Sequence, residues 1–328
     1  MGFWCRILPL VIASGCALPA VDRVSEPIID GRAATPDNVG ATVATLLNGN
    51  LDCSGTLVTP RIVITAAHCL LQDDVDIPLP VSALRIVVGA TDPTVAPESQ
   101  IYEVRRIWYS PRFPGEELSD MGLYDEHDVG AVELAREVTG ITPMPVLDLG
   151  DVDAELTPRR MLDIAGYGVT DRRGRSQNTL LHVAQIPFLE RSERELMAGD
   201  PNSTDTCDGD SGGPAFVVTK AGPRLLGANS RAVDAEREVC DTGSVFTLVP
   251  AYATEIEAAF GVEITAGHNT TPGSPGPADP GVDPSPGTGP PSPGSRRGHG
   301  CSAAPGTPSF FALATGIIVP LLWRRRRT

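Results

Sequence analysis

Several things are scarce in this chain of 328 residues, and each scarcity narrows what the chain can be. No Cys-x-x-Cys pair occurs, so the seven cysteines carry no zinc-site spacing. No apolar run has the length of a comfortable membrane span; the candidate near the C-terminus, SFFALATGIIVPLLW, has about fifteen residues and contains Pro320. Basic residues are outnumbered, 26 Lys and Arg against 41 Asp and Glu, and a net charge of −15 sets the chain against nucleic acid, whose phosphates would be repelled. No strong internal repeat stands out. What remains, 41% hydrophobic and 20% charged, suffices for one large all-β unit or two small domains.

The two ends differ from the middle. The opening MGFWCRILPLVIASGCALPA sets Arg6 ahead of a short apolar run that ends in small residues, the pattern of an export signal over residues 1–16. Ala13-Ser14-Gly15-Cys16 resembles a bacterial lipobox, with Ala13 where leucine is usual. Two maturation routes follow, lipidation of Cys16 or plain signal cleavage. From 265 to 300 the chain reads TAGHNTTPGSPGPADPGVDPSPGTGPPSPGSRRGHG, too poor in large apolar side chains to offset the entropy of ordering. A disordered linker, extended by its prolines, is expected there. Residues 301–328 then bring Cys301, the apolar segment and the cluster Arg324 to Arg327. That order resembles the MYXO-CTERM type of C-terminal sorting tail, which implies processing or lipid attachment at Cys301. A permanent anchor that leaves its arginines on the cytoplasmic side is the alternative. The ends together predict export, to the cell surface at the outer membrane or beyond the cell, with membrane association through the termini.

Cys5 and Cys16 belong to the leader and Cys301 to the tail, which leaves Cys53, Cys69, Cys207 and Cys240. An even number in an exported domain reads as disulfides, and four cysteines allow three connectivities. Pairing near neighbours would join 53 with 69 and 207 with 240, so that each bridge flanks a chemical motif.

Those motifs are three. In CSGTLVTPRIVITAAHCL the β-branched run RIVIT reads as a buried strand and the small residues after it as a turn, which puts His68 at a strand end. Alone, such a histidine is more often packed or solvated than catalytic. In YDEHDVGAVELA, Val129, Ala131, Val132 and Leu134 read as a strand with Asp128 at its start; Asp125 and His127 read as loop residues. In DTCDGDSGGP, Ser211 is followed by Gly212 and Gly213, which keep the approach clear, and preceded by Gly209, whose backbone freedom lets its N–H and that of Ser211 aim at one spot. A serine hydroxyl keeps its proton at neutral pH and attacks a carbonyl only when a base removes it. His68 supplies that base, and Asp128 the acceptor that holds the imidazole in the right tautomer. Read as structure alone, the glycine-rich string is an ordinary turn or a loose calcium-like loop, and neither accounts for the other two motifs.

Taken together, TAAHC, HDVGAVEL and CDGDSGGP, in the order His, Asp, Ser, resemble the trypsin/chymotrypsin family of serine endopeptidases over residues 28–264. The resemblance implies an all-β double six-stranded antiparallel barrel with a C-terminal helix and the site in the cleft between barrels. It implies His68 as general base, Asp128 as its orienting acid, Ser211 as nucleophile, and Gly209 with Ser211 as oxyanion donors. No cofactor or metal is implied; the expected partners are protein or peptide substrates, and the expected state a monomer.

Ile28-Ile29-Asp30-Gly31 resembles the family's mature start. This implies a zymogen with residues 17–27 as propeptide, an activating protease, and a freed Ile28 ammonium paired with Asp210. Pro27 stands where the family usually has a basic residue, and Arg23 lies too far upstream to give the same terminus. Asp205, six residues before Ser211, takes the position that floors the primary specificity pocket, which implies cleavage after Arg or Lys. Ser230, Ala232 and Ser244 would line the substrate. Arg231 stands where tryptophan is usual and could reach Asp205 or solvent, and Ser244 stands where glycine is usual. The stretch from Val233 to Cys240 is longer and more charged than expected. IAGYGVT and AYATEIEAAF agree with the family, the second with the spacing of a closing helix, whereas the acids around 89–98 read as a solvated turn rather than a calcium loop.

Two other functions compete. One is a surface-displayed, non-catalytic binding module of the same fold; possession of all three motifs and the oxyanion glycine favours an enzyme over it. The other is an α/β-hydrolase esterase, disfavoured because Ser211 is read as outside a Gly-x-Ser-x-Gly string and because the order of motifs differs.

Overall fold

The computed structural model describes residues 28–29, 31–35, 40–72, 77–114, 122–170, 179–200, 204–234, 240 and 242–265. The expected leader, the propeptide, the linker beyond 265 and the C-terminal tail lie outside the described residues, as do Asp30 and 235–239 of the charged stretch.

A short β1 (Arg32–Ala33) precedes six strands: β2 (Thr42–Leu47), β3 (Asn50–Leu57), β4 (Ile62–Thr65), β5 (Leu84–Val88), β6 (Ile101–Tyr109) and β7 (Gly130–Leu134). They pair antiparallel in the cyclic order β2-β3-β4-β7-β6-β5 and close a barrel. The RIVIT run becomes β4, buried at every position, as does the GAVEL of β7 beside it. Six more strands follow: β8 (Met161–Gly166), β9 (His182–Arg191), β10 (Glu195–Ala198), β11 (Pro214–Thr219), β12 (Gly222–Ala232) and β13 (Ser244–Leu248). Their order β9-β10-β13-β12-β11-β8 closes through the β8–β9 pairing, and β1 adds to β9. The closing helix Ala253–Phe260 turns Ala253, Ile256 and Phe260 inward and ends at Gly261 in a left-handed cap. This is the double barrel that the motifs imply.

Both barrels belong to one compact unit. A buried polar bridge ties them: Tyr167 donates its hydroxyl to the Ala90 carbonyl at 2.6 Å and its N–H to Ser54 Oγ at 3.1 Å. A fully buried phenol needs such a partner. The disulfides are Cys53–Cys69 and Cys207–Cys240, the near-neighbour pairing, and they suit an oxidising compartment outside the cytoplasm.

The expectation that Ser211 lies outside a Gly-x-Ser-x-Gly string is wrong. Residues 209–213, GDSGG, also satisfy Gly-x-Ser-x-Gly, so the string alone does not separate this chain from an α/β-hydrolase. The architecture does, because a nucleophile elbow joins a strand to a helix in a mainly parallel sheet, whereas Ser211 sits in a turn leading into antiparallel β11.

Candidate active site

Strand pairing brings the first two residues together. In the antiparallel β4–β7 ladder Thr65 faces Gly130, so His68, just beyond the end of β4, and Asp128, just before β7, emerge from the same end. The Cys53–Cys69 bridge ties the turn His68–Leu70 to β3. His68 Nδ1 lies 2.8 Å from Asp128 Oδ2, and the His68 backbone N–H donates to Asp128 Oδ1 at 3.0 Å. Ser230 Oγ also donates to Oδ2, at 2.7 Å, and Thr247 Oγ1 donates to the Asp128 carbonyl at 2.7 Å. Asp128 is wholly buried, yet both its oxygens are satisfied, as a buried carboxylate requires.

Burial by itself would push the Asp128 carboxyl up; the charge and hydrogen bonds of His68, aided by Ser230, outweigh it and hold the group below the usual carboxylate range. Burial likewise pulls His68 down, but the charge and hydrogen bond of Asp128 prevail and raise it above an ordinary histidine. With Nδ1 committed to Asp128, the basic atom is Nε2, on a side chain that keeps 31% of its surface exposed.

The third motif packs against the same strand end. The Ser211 carbonyl accepts from Ser54 N–H at 2.8 Å, and a Cβ on Gly212, whose φ is 75°, would fall 2.1 Å from Thr65 Oγ1. Only glycine lets the serine loop lie that close to β4. Among the described residues Ser211 Oγ makes no hydrogen bond to His68, a contact that often tightens only with substrate bound.

The peptides around Ser211 are aimed by their carbonyls. Asp208 C=O accepts from Val169 N–H and Asp210 C=O from Gly213 N–H, both at 2.8 Å. In a trans peptide the N–H points opposite to its C=O, so these two bonds turn the N–H groups of Gly209 and Ser211 outward. Among the described residues neither N–H has a backbone acceptor. Ser54 Oγ holds the Gly209 carbonyl as well, at 2.8 Å. Two fixed, unspent donors beside a serine are what an oxyanion site needs.

Asp205 is 1% exposed. It accepts from Thr206 N–H at 2.8 Å, Gly243 N–H at 2.9 Å and Ser244 Oγ. Burial pushes its carboxyl up, and those hydrogen bonds only partly offset this. Ser244 Oγ also lies 2.6 Å from Thr206 Oγ1, so a hydroxyl pair covers one carboxylate oxygen. Asp210 is buried too, accepting from Gly168 N–H at 2.8 Å and Cys207 N–H at 3.0 Å, and its carboxyl is pushed up to about 7 by burial. Ile28 and Ile29 are buried, with Ile29 N–H on the Asp205 carbonyl at 2.9 Å.

One expectation changes. Arg231 goes neither to Asp205 nor to solvent: its guanidinium forms a buried two-point pair with Glu195, at 2.7 and 3.1 Å. Ser230 lies on the strand expected to line substrate, which ends at Ala232, and its hydroxyl donates to Asp128. The cause is a bulge in β12: Asn229 faces Phe246 and Arg231 faces Val245, so Ser230 is the extra residue and the usual alternation is broken. Sequence reasoning did not find Glu195 or Thr247. The sulfurs of Cys53 and Cys69 and a His68 ring nitrogen lie within 4.8 Å of one another, but a disulfide offers no thiolate to a metal.

Two closed antiparallel barrels, with histidine, aspartate and serine loops meeting where they join, define the double-barrel class of serine proteases. Within that class, residues 28–256 match the Trypsin family, and the chain belongs to it. It is 29% identical over 182 residues to a trypsin of Simulium vittatum, an alignment covering 51% of this chain and 67% of the relative. It is 28% identical over 190 residues to phenoloxidase-activating factor 3 of Holotrichia diomphalia, covering 52% of each, so the chain spans about half the length of that relative.

Proposed function

We propose that this protein is a serine endopeptidase with His68, Asp128 and Ser211 as its catalytic residues. The observation that carries the reading is the His68–Asp128 pair, closed through both carboxylate oxygens at the strand end against which the Ser211 loop packs. In the proposed reaction Ser211 Oγ attacks the peptide carbonyl carbon while its proton passes to His68 Nε2. Negative charge gathers on the substrate oxygen, where the N–H groups of Gly209 and Ser211 receive it. His68 then gives the proton to the leaving amine nitrogen, the C–N bond breaks, and an acyl ester remains on Ser211. Water, deprotonated by His68, cleaves that ester and the proton returns to Ser211. Asp128 stays ionised throughout and stabilises the imidazolium. An activated ester substrate is expected to release a burst of one equivalent of alcohol per chain; no release above the uncatalysed rate at saturating ester would favour the binding module.

Cleavage after Arg or Lys belongs to the same proposal, supported by the buried and incompletely neutralised Asp205. A charge-assisted hydrogen bond contributes about 1.5–3 kcal/mol, so Asp205→Asn is expected to lower kcat/KM for basic substrates by about 10- to 150-fold while sparing apolar ones. Equal loss for both substrate types, measured on matched peptides, would discard this role for Asp205.

The chain is also proposed to be a zymogen, activated by a cut between Pro27 and Ile28. Support comes from the burial of Ile28 and from Asp210, a buried acid whose charge has no cationic partner among the described residues. In the uncut chain the folded carboxyl holds its proton up to about pH 7, more tightly than an unfolded aspartate does. Stability from this group is therefore present below about pH 4 and is lost as pH rises to about 7. Denaturant midpoints of the uncut protein should fall across that window, flatten in Asp210→Asn, and flatten after cleavage as the new ammonium pulls the carboxyl down. Identical pH slopes before and after cleavage would refute the pairing. The intact mass and N-terminus of the native protein would also reveal any lipid on Cys16 or Cys301.

A further inference from the structure

The Arg231–Glu195 pair takes no part in the chemistry above, yet its carboxylate holds the backbone N–H of Glu126, two residues before the acid that does. We propose that Glu195 and Arg231 are positioning residues for Asp128, acting through the loop 122–127; this rests on the endopeptidase reading, since it assigns them to that reaction's acid.

Glu195 opens β10 and is wholly buried. Its Oε2 accepts the N–H of Tyr124 at 2.9 Å and of Asp125 at 3.1 Å, and Oε1 accepts that of Glu126 at 3.1 Å. Three successive N–H groups reach one carboxylate only if the backbone curls around it, the concave arrangement that binds anions elsewhere. The curl is visible as left-handed φ angles at two residues with side chains, 56° at Asp125 and 59° at His127. Such angles persist only where the surroundings hold them. Arg231 closes the carboxylate from the other side and also donates to the Gly122 carbonyl at 2.9 Å, so it ties both the anion and the start of the loop. Asp125 Oδ1 accepts from Ser192 Oγ and from Arg194 N–H, and His127 Nδ1 lies 2.7 Å from Tyr252 Oη. The next residue is Asp128.

The bulge in β12 gives this geometry its reach. In a regular strand Ser230 and Arg231 would face opposite sides; here both are buried toward the 122–128 segment, Ser230 on the Asp128 carboxylate and Arg231 on the loop behind it. One strand therefore holds the acid by its head and by its backbone. An ion pair serving only to fill the core could be exchanged for apolar side chains. This one cannot, because Glu195 also satisfies three loop amides.

The groups whose charge bears on His68 are Asp128 and, farther off, Asp52. If the loop slackens, the Asp128 contact weakens and His68 becomes less basic. The test uses the mature protein, with the rate of fluorophosphonate labelling followed against pH. Glu195→Gln is expected to label about 10- to 100-fold more slowly per folded molecule, the cost of a small misplacement of the catalytic geometry. Its acid limb should move to lower pH, and Arg231→Lys, which keeps the charge, should lie between it and the parent. Folded variants that label at the parent rate with an unmoved acid limb would overturn the proposal. Amide exchange in the unaltered protein supplies a measurement that needs no variant: Tyr124, Asp125 and Glu126 should exchange slowly, and exchange at free-peptide rates would also overturn it. Failure of the unaltered mature protein to label at all would instead count against the endopeptidase reading, and the exchange data, with an NMR titration of His68 in parent and variants, would still decide the positioning role.

Discussion

Exchanging Ser211 for alanine is expected to lower kcat for peptide hydrolysis by about six orders of magnitude, because nucleophile and base act as a unit and neither works alone. The fold should not notice. The loop is held by backbone bonds, the Ser211 carbonyl on Ser54 and the neighbouring carbonyls on Val169 and Gly213, none of which uses the hydroxyl. Stability should therefore change by no more than about 0.5 kcal/mol, the range of substitutions that break no special contact. Adding His68→Ala to this variant should cost little more, since the proton acceptor has lost its donor. Steady-state rates of the single and double variants, beside their melting curves, check all three points. A tenfold loss, or losses that multiply in the double variant, would mean that the nucleophile is another residue.

Asp128→Asn is expected to lower kcat by about four orders of magnitude at neutral pH, with KM little changed. Both oxygens of the carboxylate face donors: Oδ1 the backbone N–H of His68, Oδ2 its Nδ1 and the Ser230 hydroxyl. An amide must turn its NH₂ group toward one of these. If it faces Nδ1, the imidazole becomes an acceptor there and carries its proton on Nε2, where it can no longer take one from Ser211. Nitrogen NMR of His68 should report this exchange of tautomers, and kinetics the fall in kcat. A loss expressed mainly in KM would contradict the orienting role, as would an unchanged tautomer beside a large fall in kcat.

Much of this arrangement was legible in the sequence because the informative signals were local. IVIT is β-branched throughout and GAVEL is apolar but for Glu133, and every residue of β4 and β7 is buried. The disulfides join near neighbours because the strand end carrying Cys69 returns beside β3. Arg231 shows where local reading ends. Its partner is 36 residues away in SERELMAG, a stretch with two acids and no motif to single one of them out. Which of several nearby acids becomes buried is decided by the β10–β13–β12 register, a property of the assembled sheet. The Ser230 hydroxyl escaped for a related reason, since a bulge reverses its facing and nothing in ANSRA announces one. GDSGG, conversely, fits two hydrolase spellings, and only the topology separates them.

The proposed activity depends on an activated Ser211, and a fluorophosphonate applied to the folded mature protein tests this most directly. The predicted result is one adduct per chain, located by mass spectrometry on the peptide containing Ser211, lost in Ser211→Ala, and slowed as pH falls through the titration of His68. No adduct, or an adduct on a different residue, would contradict it.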